Sequence, residues 1–223
     1  MPLDLRPLTS DLRPPHCARL RQGRLIWFTF AVRRIVNFSL VYLAAYAVAS
    51  YLDLQTTLLA LQRPGTTEGN VYSTSGHDYV ATKAWVITAA GALFIEAFLL
   101  FGALNAHRVS EHWLRHPIRS FAKFYVVFWS RRWMDRSPLH MLSFVIAFVP
   151  LRFLAAANNL MIYYYGTAPL GRLVGFVSRH TSPTAGFWLV MGTLFYLFAF
   201  ACSPIAARLI VWLRSRDKSQ RDL

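Results

Sequence analysis

The sequence predicts an all-α protein that forms a four-helix transmembrane bundle. The prediction rests on four long apolar segments, on the distribution of the basic residues and on the positions of the tryptophans. The 223 residues are 55% hydrophobic and 15% charged, which is too apolar for an ordinary soluble domain. Four segments reach the roughly 20 mainly apolar residues that a spanning helix needs. These segments cover residues 35–61, 83–106, 139–165 and 184–212.

The basic residues predict the orientation of this bundle. Nineteen of the 24 Lys and Arg residues lie before the first segment, between the second and third, or from Arg208 onward, and only four lie in the other two connections. An excess of this kind is typical of cytoplasmic loops. All seven Trp residues lie near predicted membrane boundaries, where indole rings prefer to be. Both termini and the middle connector are therefore predicted to be cytoplasmic.

The placement of the charges also bears on partners. The formal net charge of +14 is accounted for by the cytoplasmic excess, so no nucleic-acid partner is expected. The bilayer itself is the expected environment. Anionic lipids on the cytoplasmic side are the expected partners of the basic segments.

The same pattern divides the chain into five parts. These are a basic cytoplasmic or interfacial N-terminal segment (1–34), a first transmembrane hairpin (35–106), a cytoplasmic amphipathic connector (107–138), a second hairpin (139–212) and a basic cytoplasmic tail (213–223). In the connector, Pro117 opens a helix with Arg119 on one face and Phe121 on the other, which predicts an interfacial amphipathic helix. Two alternatives stay open for the N-terminal part of the chain: residues 1–34 could be an Arg-rich transit peptide, or the chain could begin with a secretory signal that ends at AYAVAS.

The two hairpins share a spacing of polar residues. Thr57 precedes Gly65 by eight residues, and Asn158 precedes Gly166 by eight. Two explanations stay open. An internal duplication would make the hairpins parallel repeats about an axis along the membrane normal, whereas the alternative is coincidence in a biased composition.

Two charged residues lie at predicted mid-bilayer depth. Glu96 is 13 residues from the outer start of the second segment, and Arg152 is 13 residues from the outer end of the third. At roughly 1.5 Å per residue, both lie about 20 Å below the outer surface. Because an unpaired charge at that depth is costly, we predict a structural ion pair between Glu96 and Arg152 that joins the hairpins.

A second polar layer lies closer to the outer side. It comprises Asp53, Thr56, Thr57, Asn158 and Asn159, with Lys83 at the rim. Two interpretations stay open: a polar pocket between the hairpins that binds a ligand, or interhelical hydrogen bonds that only hold the bundle together. Threonine hydroxyls in helices often bond to their own backbone carbonyls, which agrees with the second.

The connector also contains a histidine pair. His112 and His116 lie at i and i+4, a spacing that lets one helix face supply two nitrogen ligands to a metal. The pair lacks the central glutamate of a zinc-protease helix, and Arg108 and Arg115 add positive charge, so no metal site is expected. The sequence contains no phosphate-binding glycine loop and no nucleophile elbow. No cofactor is expected, and a non-enzymatic function is favoured.

The stretch DLQTTLLALQRPGTTEGN, followed by Lys83, resembles an uncharacterised family of small bacterial membrane proteins over residues 51–93. The residues that carry the resemblance are Asp53, Thr56 and Thr57 on the first helix, the outer-turn motif Gly65, Glu68 and Asn70, and Lys83 on the returning helix. The resemblance implies a helical hairpin with interacting polar residues in a bacterial inner membrane, and no activity. The family continues the turn with proline, whereas Val71 follows here.

Two functions remain. The first is a non-enzymatic accessory or assembly subunit of a membrane complex, whose partners are other membrane proteins or further copies of this chain. The small-residue stretches LAAYAVAS and VITAAGAL favour it, since small residues let helices approach closely. The second is a small-molecule or ion transport or binding protein that uses the polar pocket, with Lys83 at its mouth. Four spans leave little room for a permeation path without oligomerisation, so the first is preferred.

Overall fold

Four apolar helices dominate the structure, a computed structural model that describes residues 16–64, 84–123 and 133–215, with side chains from residue 32 onward. Within these ranges the chain is helical and contains no strand. The helices long and apolar enough to cross a membrane are Val32–Leu61, Ala84–Leu104, Ser137–Tyr165 and Pro183–Arg214. The predicted all-α class and its four spans are thereby confirmed, with no end shifted by more than three residues.

Seven α-helices are numbered here along the described part of the chain. They are α1 (His16–Leu61), α2 (Ala84–Leu104), α3 (Glu111–Arg115), α4 (Pro117–Ala122), α5 (Ser137–Tyr165), α6 (Pro169–His180) and α7 (Pro183–Arg214). Because α1 begins at His16, much of the predicted N-terminal segment is continuous with the first span. The 3-10 turns Ala106–Arg108 and Trp133–Asp135 flank the short helices of the connector.

Helix α5 lies at the centre of the bundle. Helices α1, α2 and α7 all pack on it, and α1 packs more extensively on α5 than on α2. The main core contains Tyr42 of α1, Leu99 of α2, Leu142 of α5 and Ile210 of α7. Lipid is as apolar as these side chains, so the hydrophobic effect does not drive helices together in a bilayer. Helix association there depends on close packing of this kind. The two hairpins pack differently, α5 with α7 closely and α1 with α2 loosely, so their relation as repeats stays a prediction.

Two spans contain a proline. A proline has no N–H and leaves the carbonyl four residues earlier without its helical donor. For Pro204 of α7 that carbonyl belongs to Phe200, and the Ser203 hydroxyl donates to it at 2.8 Å. For Pro150 of α5 the neighbouring Val145 carbonyl accepts a hydrogen bond from the Tyr42 hydroxyl at 2.7 Å. The Ser203 hydroxyl therefore replaces the donor that Pro204 lacks, as a spanning helix requires. The Tyr42 hydroxyl bonds one residue before Ile146, whose carbonyl is the one that loses its helical donor at Pro150.

Helix α6 connects α5 to α7 and lies between the third and fourth apolar segments, which predict no helix there. Its apolar residues recur at three- and four-residue spacing, which is typical of an amphipathic helix. Leu173 and Phe176 are exposed. The helix packs on the beginning of α7, where Gly186 lies so close to the Ser178 backbone that a side chain would not fit. An amphipathic helix therefore joins the spans of the second hairpin.

The connector between α2 and α5 folds against the bundle. Its helix α4 begins at Pro117 as predicted. Phe121 was expected to face lipid, but it is fully buried among aromatic rings of α5 and α7, including Phe144 and Tyr196. The Phe121 ring thus packs against other aromatic side chains of the protein and not against lipid headgroups. Residues 124–132 lie outside the described part, and the interfacial amphipathic helix stays a prediction.

Two arginines tie the chain together at the end of the bundle where α1 enters and α7 ends, which we call the basic end. Arg214 donates to the Ala106 carbonyl at 2.6 and 2.9 Å, to the Val109 carbonyl and to Glu111 Oε1 at 2.9 Å. Arg34 donates to the Trp212 carbonyl at 2.8 Å. The guanidinium groups thus bond to carbonyls near helix ends, where fewer backbone donors are present than in a helix interior. The opposite end is called the loop end.

Candidate functional site

An ion pair between Asp53 and Arg152 lies at the centre of the polar region. Arg152 Nη1 is 2.6 Å from Asp53 Oδ2, which joins α1 to α5. The Asp53 side chain is 11% exposed and the Arg152 side chain 30%. The Arg152 guanidinium also lies over the Tyr46 ring, 5.9 Å from its centroid. A pair of this kind in a low-dielectric region is strongly attractive, and each charge relieves the cost of burying the other.

The predicted ion pair between Glu96 and Arg152 is not formed, because Arg152 bonds to Asp53. Residue counting along a helix gives the depth of a side chain but not the direction it faces. Arg152 reaches toward the loop end and pairs with a carboxylate on α1, the helix that packs most extensively on α5. Glu96 of α2 instead accepts a hydrogen bond from the Ser39 hydroxyl through Oε1, and its Oε2 is buried without a partner among the described residues.

Asn159 extends the ion pair toward the loop end. Its Nδ2 donates to Thr57 Oγ1 at 2.8 Å and to Asp53 Oδ1 at 3.3 Å. Thr57 in turn donates to the Asp53 carbonyl at 2.8 Å. Both oxygens of the Asp53 carboxylate are therefore held by side chains of α5. We call Asp53, Thr57, Arg152 and Asn159 the polar cluster.

Two predicted neighbours lie beside the polar cluster but do not join it. The Thr56 hydroxyl donates to the Leu52 carbonyl at 2.8 Å and to the Asp53 carbonyl at 3.0 Å, so it bonds only to its own helix. Asn158 Oδ1 is buried and has no hydrogen-bond partner among the described residues. The sequence thus grouped six residues of which the structure brings three together, and it assigned the fourth member, Arg152, to another partner.

The outer-turn motif (Gly65, Glu68 and Asn70) and Lys83 lie outside the described residues. In the described part of this turn, Arg63 forms a contact between the two hairpins. Arg63 donates to the Tyr163 carbonyl at 2.8 Å, near the C-terminus of α5. Gly166 caps that helix with a φ of 75° and donates its N–H to the Ile162 carbonyl at 2.8 Å. Arg63 packs against Gly166 where a side chain would otherwise lie.

The sequence contains a pattern on α1 that indicates where the polar contacts lie. The polar and aromatic residues of α1 that face its neighbours recur every three or four positions, namely Ser39, Tyr42, Tyr46, Ser50, Asp53 and Thr57. Residues at these spacings lie on one face of a helix. That face contacts α5 at most of these positions and α2 at Ser39. Such a stripe identifies α1 as the helix that carries the polar contacts.

The histidine pair lies on the connector, remote from the polar cluster. The rings of His112 and His116 are 5.2 Å apart between centroids, and both residues are exposed. Glu111, next to the pair, is bound to Arg214. Among the described residues no group of three or more His, Cys, Asp or Glu side chains is placed to hold a metal ion.

Four apolar helices, joined by polar contacts that lie between them, are the architecture of a multi-pass integral membrane protein. Comparison of the chain with protein-family models, with curated proteins and with solved structures gives no match. The likeness of residues 51–93 to the bacterial hairpin family stays a prediction.

Proposed function

We propose that this chain is a non-enzymatic membrane module, an accessory or assembly subunit whose bundle associates with other membrane proteins. One observation carries the proposal: the polar cluster is bonded to itself. Arg152 and Asn159 hold both oxygens of the Asp53 carboxylate, and Thr57 accepts from Asn159. A carboxylate whose oxygens are already engaged is suited to hold helices together, whereas a binding site needs polar groups with free bonding capacity.

Helix α2 supports the same proposal. It packs loosely on α1, and its small residues are only partly used inside the bundle. Gly91 lies near the Tyr46 hydroxyl, whereas Ala89 and Ala90 are exposed. Small exposed residues on a spanning helix allow another helix to approach closely. The surface of α2 is therefore suited to contact a partner subunit.

Native mass spectrometry tests this proposal. The protein is to be produced from its own promoter and purified from its own membranes in mild detergent. An accessory subunit is expected to co-purify with other polypeptides in fixed stoichiometry. An isolated chain or homo-oligomer that carries a bound small molecule or ion at the polar cluster would contradict the proposal.

A second function, small-molecule or ion binding and transport, is favoured by one observation. Asn158 Oδ1 is buried without a partner beside the polar cluster, and such an acceptor is costly to leave unsatisfied. Transport would use this oxygen to bind a donor or cation. Asn158→Ala is then expected to remove the bound species without lowering the amount of folded protein. Leu160→Ala, a change at an exposed neighbour on α5, is the control.

The bacterial inner membrane is the location that we propose, with both termini in the cytoplasm. The support is the concentration of basic residues at one end of the bundle, where Arg34, Arg108, Arg136 and Arg214 lie. Anionic lipids on that side are the partners that this charge favours.

A further inference from the structure

A groove runs along the bundle at its basic end, between α1 and α7. Both helices pack on α5 but make little contact with each other, so α5 forms the floor of an open furrow of about 700 Å³. We propose that this groove binds one acyl chain of an anionic phospholipid whose phosphate pairs with Arg208.

The lining of the groove is apolar along its length. Phe38 and Ala45 of α1, Val149 of α5 and Ile205 of α7 contribute to it. Tyr42 also lines it, but the hydroxyl of Tyr42 is bonded to the Val145 carbonyl, so only its ring is available to an occupant. The volume lies in the range of roughly 300–1,000 Å³ that ligand sites commonly have. A hydrocarbon chain is the occupant that such walls accept without leaving a polar group unsatisfied.

Arg208 lies at one end of this groove and supplies its charge. It is exposed and makes no hydrogen bond or ion pair within the part of the chain that the structure describes. Its neighbours at the basic end differ, since Arg34 and Arg214 both bond to carbonyls. Arg208 precedes the last residue of α7 by six positions, which places it about 9 Å inside the helix end. An arginine this close to a helix end can extend its guanidinium group to the headgroup level, where lipid phosphates lie.

Phosphate is the anion that fits this position. The planar guanidinium group of Arg208 matches phosphate oxygens with two parallel donors. Trp212 lies one turn further along α7 and also lines the groove; an indole ring marks the headgroup level of a bilayer. The order along the groove, from indole and cation to apolar walls, is the order of headgroup and acyl chain in a phospholipid. A lipid therefore complements both parts of the site at once.

Lipid titration followed by native mass spectrometry tests the proposal. The full chain, freed of bound lipid in detergent, is titrated with dioleoyl phosphatidylglycerol, with dioleoyl phosphatidylcholine as the zwitterionic comparison. The wild type is expected to bind one phosphatidylglycerol tightly. Arg208→Gln is expected to weaken that binding by about tenfold or more, the usual effect of losing a charge-assisted hydrogen bond. The matched control is Arg115→Gln, an equal loss of charge at an exposed arginine outside the groove.

A second pair of variants tests the acyl-chain part independently. Ile205 lines the groove and is 55% exposed, and Val211 lies on the same helix outside it and is 52% exposed. Ile205→Trp fills the groove and is expected to abolish tight binding, whereas Val211→Trp leaves it unchanged. Thermal unfolding confirms that both variants are folded.

Several results would overturn the proposal. Equal weakening by Arg208→Gln and Arg115→Gln would show a diffuse charge effect, and unchanged binding in Ile205→Trp would show that the groove is not used. Equal affinity for the two lipids would exclude an anionic headgroup as the determinant. Competition by inorganic phosphate alone would assign the site to free phosphate, and a co-purifying polypeptide that displaces the lipid would assign it to a protein partner.

Discussion

Side chains in the polar cluster and beside it differ in what their hydrogen bonds do, and the two adjacent threonines of α1 show this most simply. Thr56 bonds only to carbonyls of its own helix, whereas Thr57 also accepts a hydrogen bond from Asn159 on α5. Only the hydrogen bond between Thr57 and Asn159 joins two helices. The neighbouring pair therefore separates an intrahelical role from an interhelical one.

Thr57→Val is predicted to destabilise the bundle more than Thr56→Val does. The first change removes the acceptor of Asn159 Nδ2, and the second removes a hydroxyl that serves its own helix. Interhelical hydrogen bonds of this kind contribute about 0.6 kcal/mol on average in membrane proteins. The free energy of unfolding in bicelles measures the difference. A larger loss in Thr56→Val would contradict the assignment.

The partner of Arg152 could not be predicted from the sequence, and the reason lies at this scale. Counting residues gives the depth of Glu96 and of Arg152, and the high cost of an unpaired charge correctly predicts that Arg152 has a partner. Which carboxylate Arg152 meets depends on how α1 and α2 are rotated about their axes, and on the reach of a long side chain. Because the sequence does not give these rotations, the prediction assigned Asp53 to a separate polar layer and not to Arg152.

At the scale of helices, the C-terminus of α5 depends on one glycine. Gly166 adopts a positive φ of 75°, and among the described residues no other backbone does so. A residue with a Cβ is disfavoured in this conformation, and Arg63 already packs against the position that a Cβ would take. The end of α5 and the end of α1 are therefore fixed together.

Gly166→Ala is predicted to lower the free energy of unfolding by about 1 kcal/mol or more, because alanine is strained at this φ. The matched control is Gly175→Ala in the interior of α6, where a Cβ meets nothing within 4 Å. That change is expected to stabilise its helix, since alanine has the higher helix propensity. Thermal unfolding of both variants provides the measurement. The same sign for both changes would show that the conformation of Gly166 is not required.

The helices illustrate how far a sequence pattern leads. The four spans were predictable because length and apolarity alone define them. Helix α6 was missed because its apolar residues are separated by arginines and glycines, so that only its periodicity, and not its mean hydropathy, indicates a helix. Phe121 was misplaced because an amphipathic pattern gives the direction of an apolar face but not whether protein or lipid covers it.

The whole molecule has one basic end, and its orientation is a prediction that labelling can test. On a background lacking Cys17 and Cys202, Thr181→Cys is placed at the loop end and Arg115→Cys at the basic end, both at exposed positions. A membrane-impermeant maleimide is expected to label the first in spheroplasts and the second only after permeabilisation, since basic loops stay in the cytoplasm. The opposite labelling pattern would reverse the topology.

The polar cluster joins α1 to α5, and we infer that it thereby stabilises the bundle. This inference is tested by a double-mutant cycle, with Asp53→Asn, Arg152→Gln and the combined variant unfolded reversibly in bicelles. The control cycle combines Glu96→Gln with Arg152→Gln, and Glu96→Gln alone keeps the acceptor for Ser39.

We expect a coupling of about 1 kcal/mol or more between Asp53 and Arg152, because either single change leaves a buried group without its partner. Glu96 and Arg152 should be additive within about 0.5 kcal/mol. Additivity between Asp53 and Arg152 would show that the ion pair does not stabilise the bundle, and the polar cluster would then have to be explained by something that it binds.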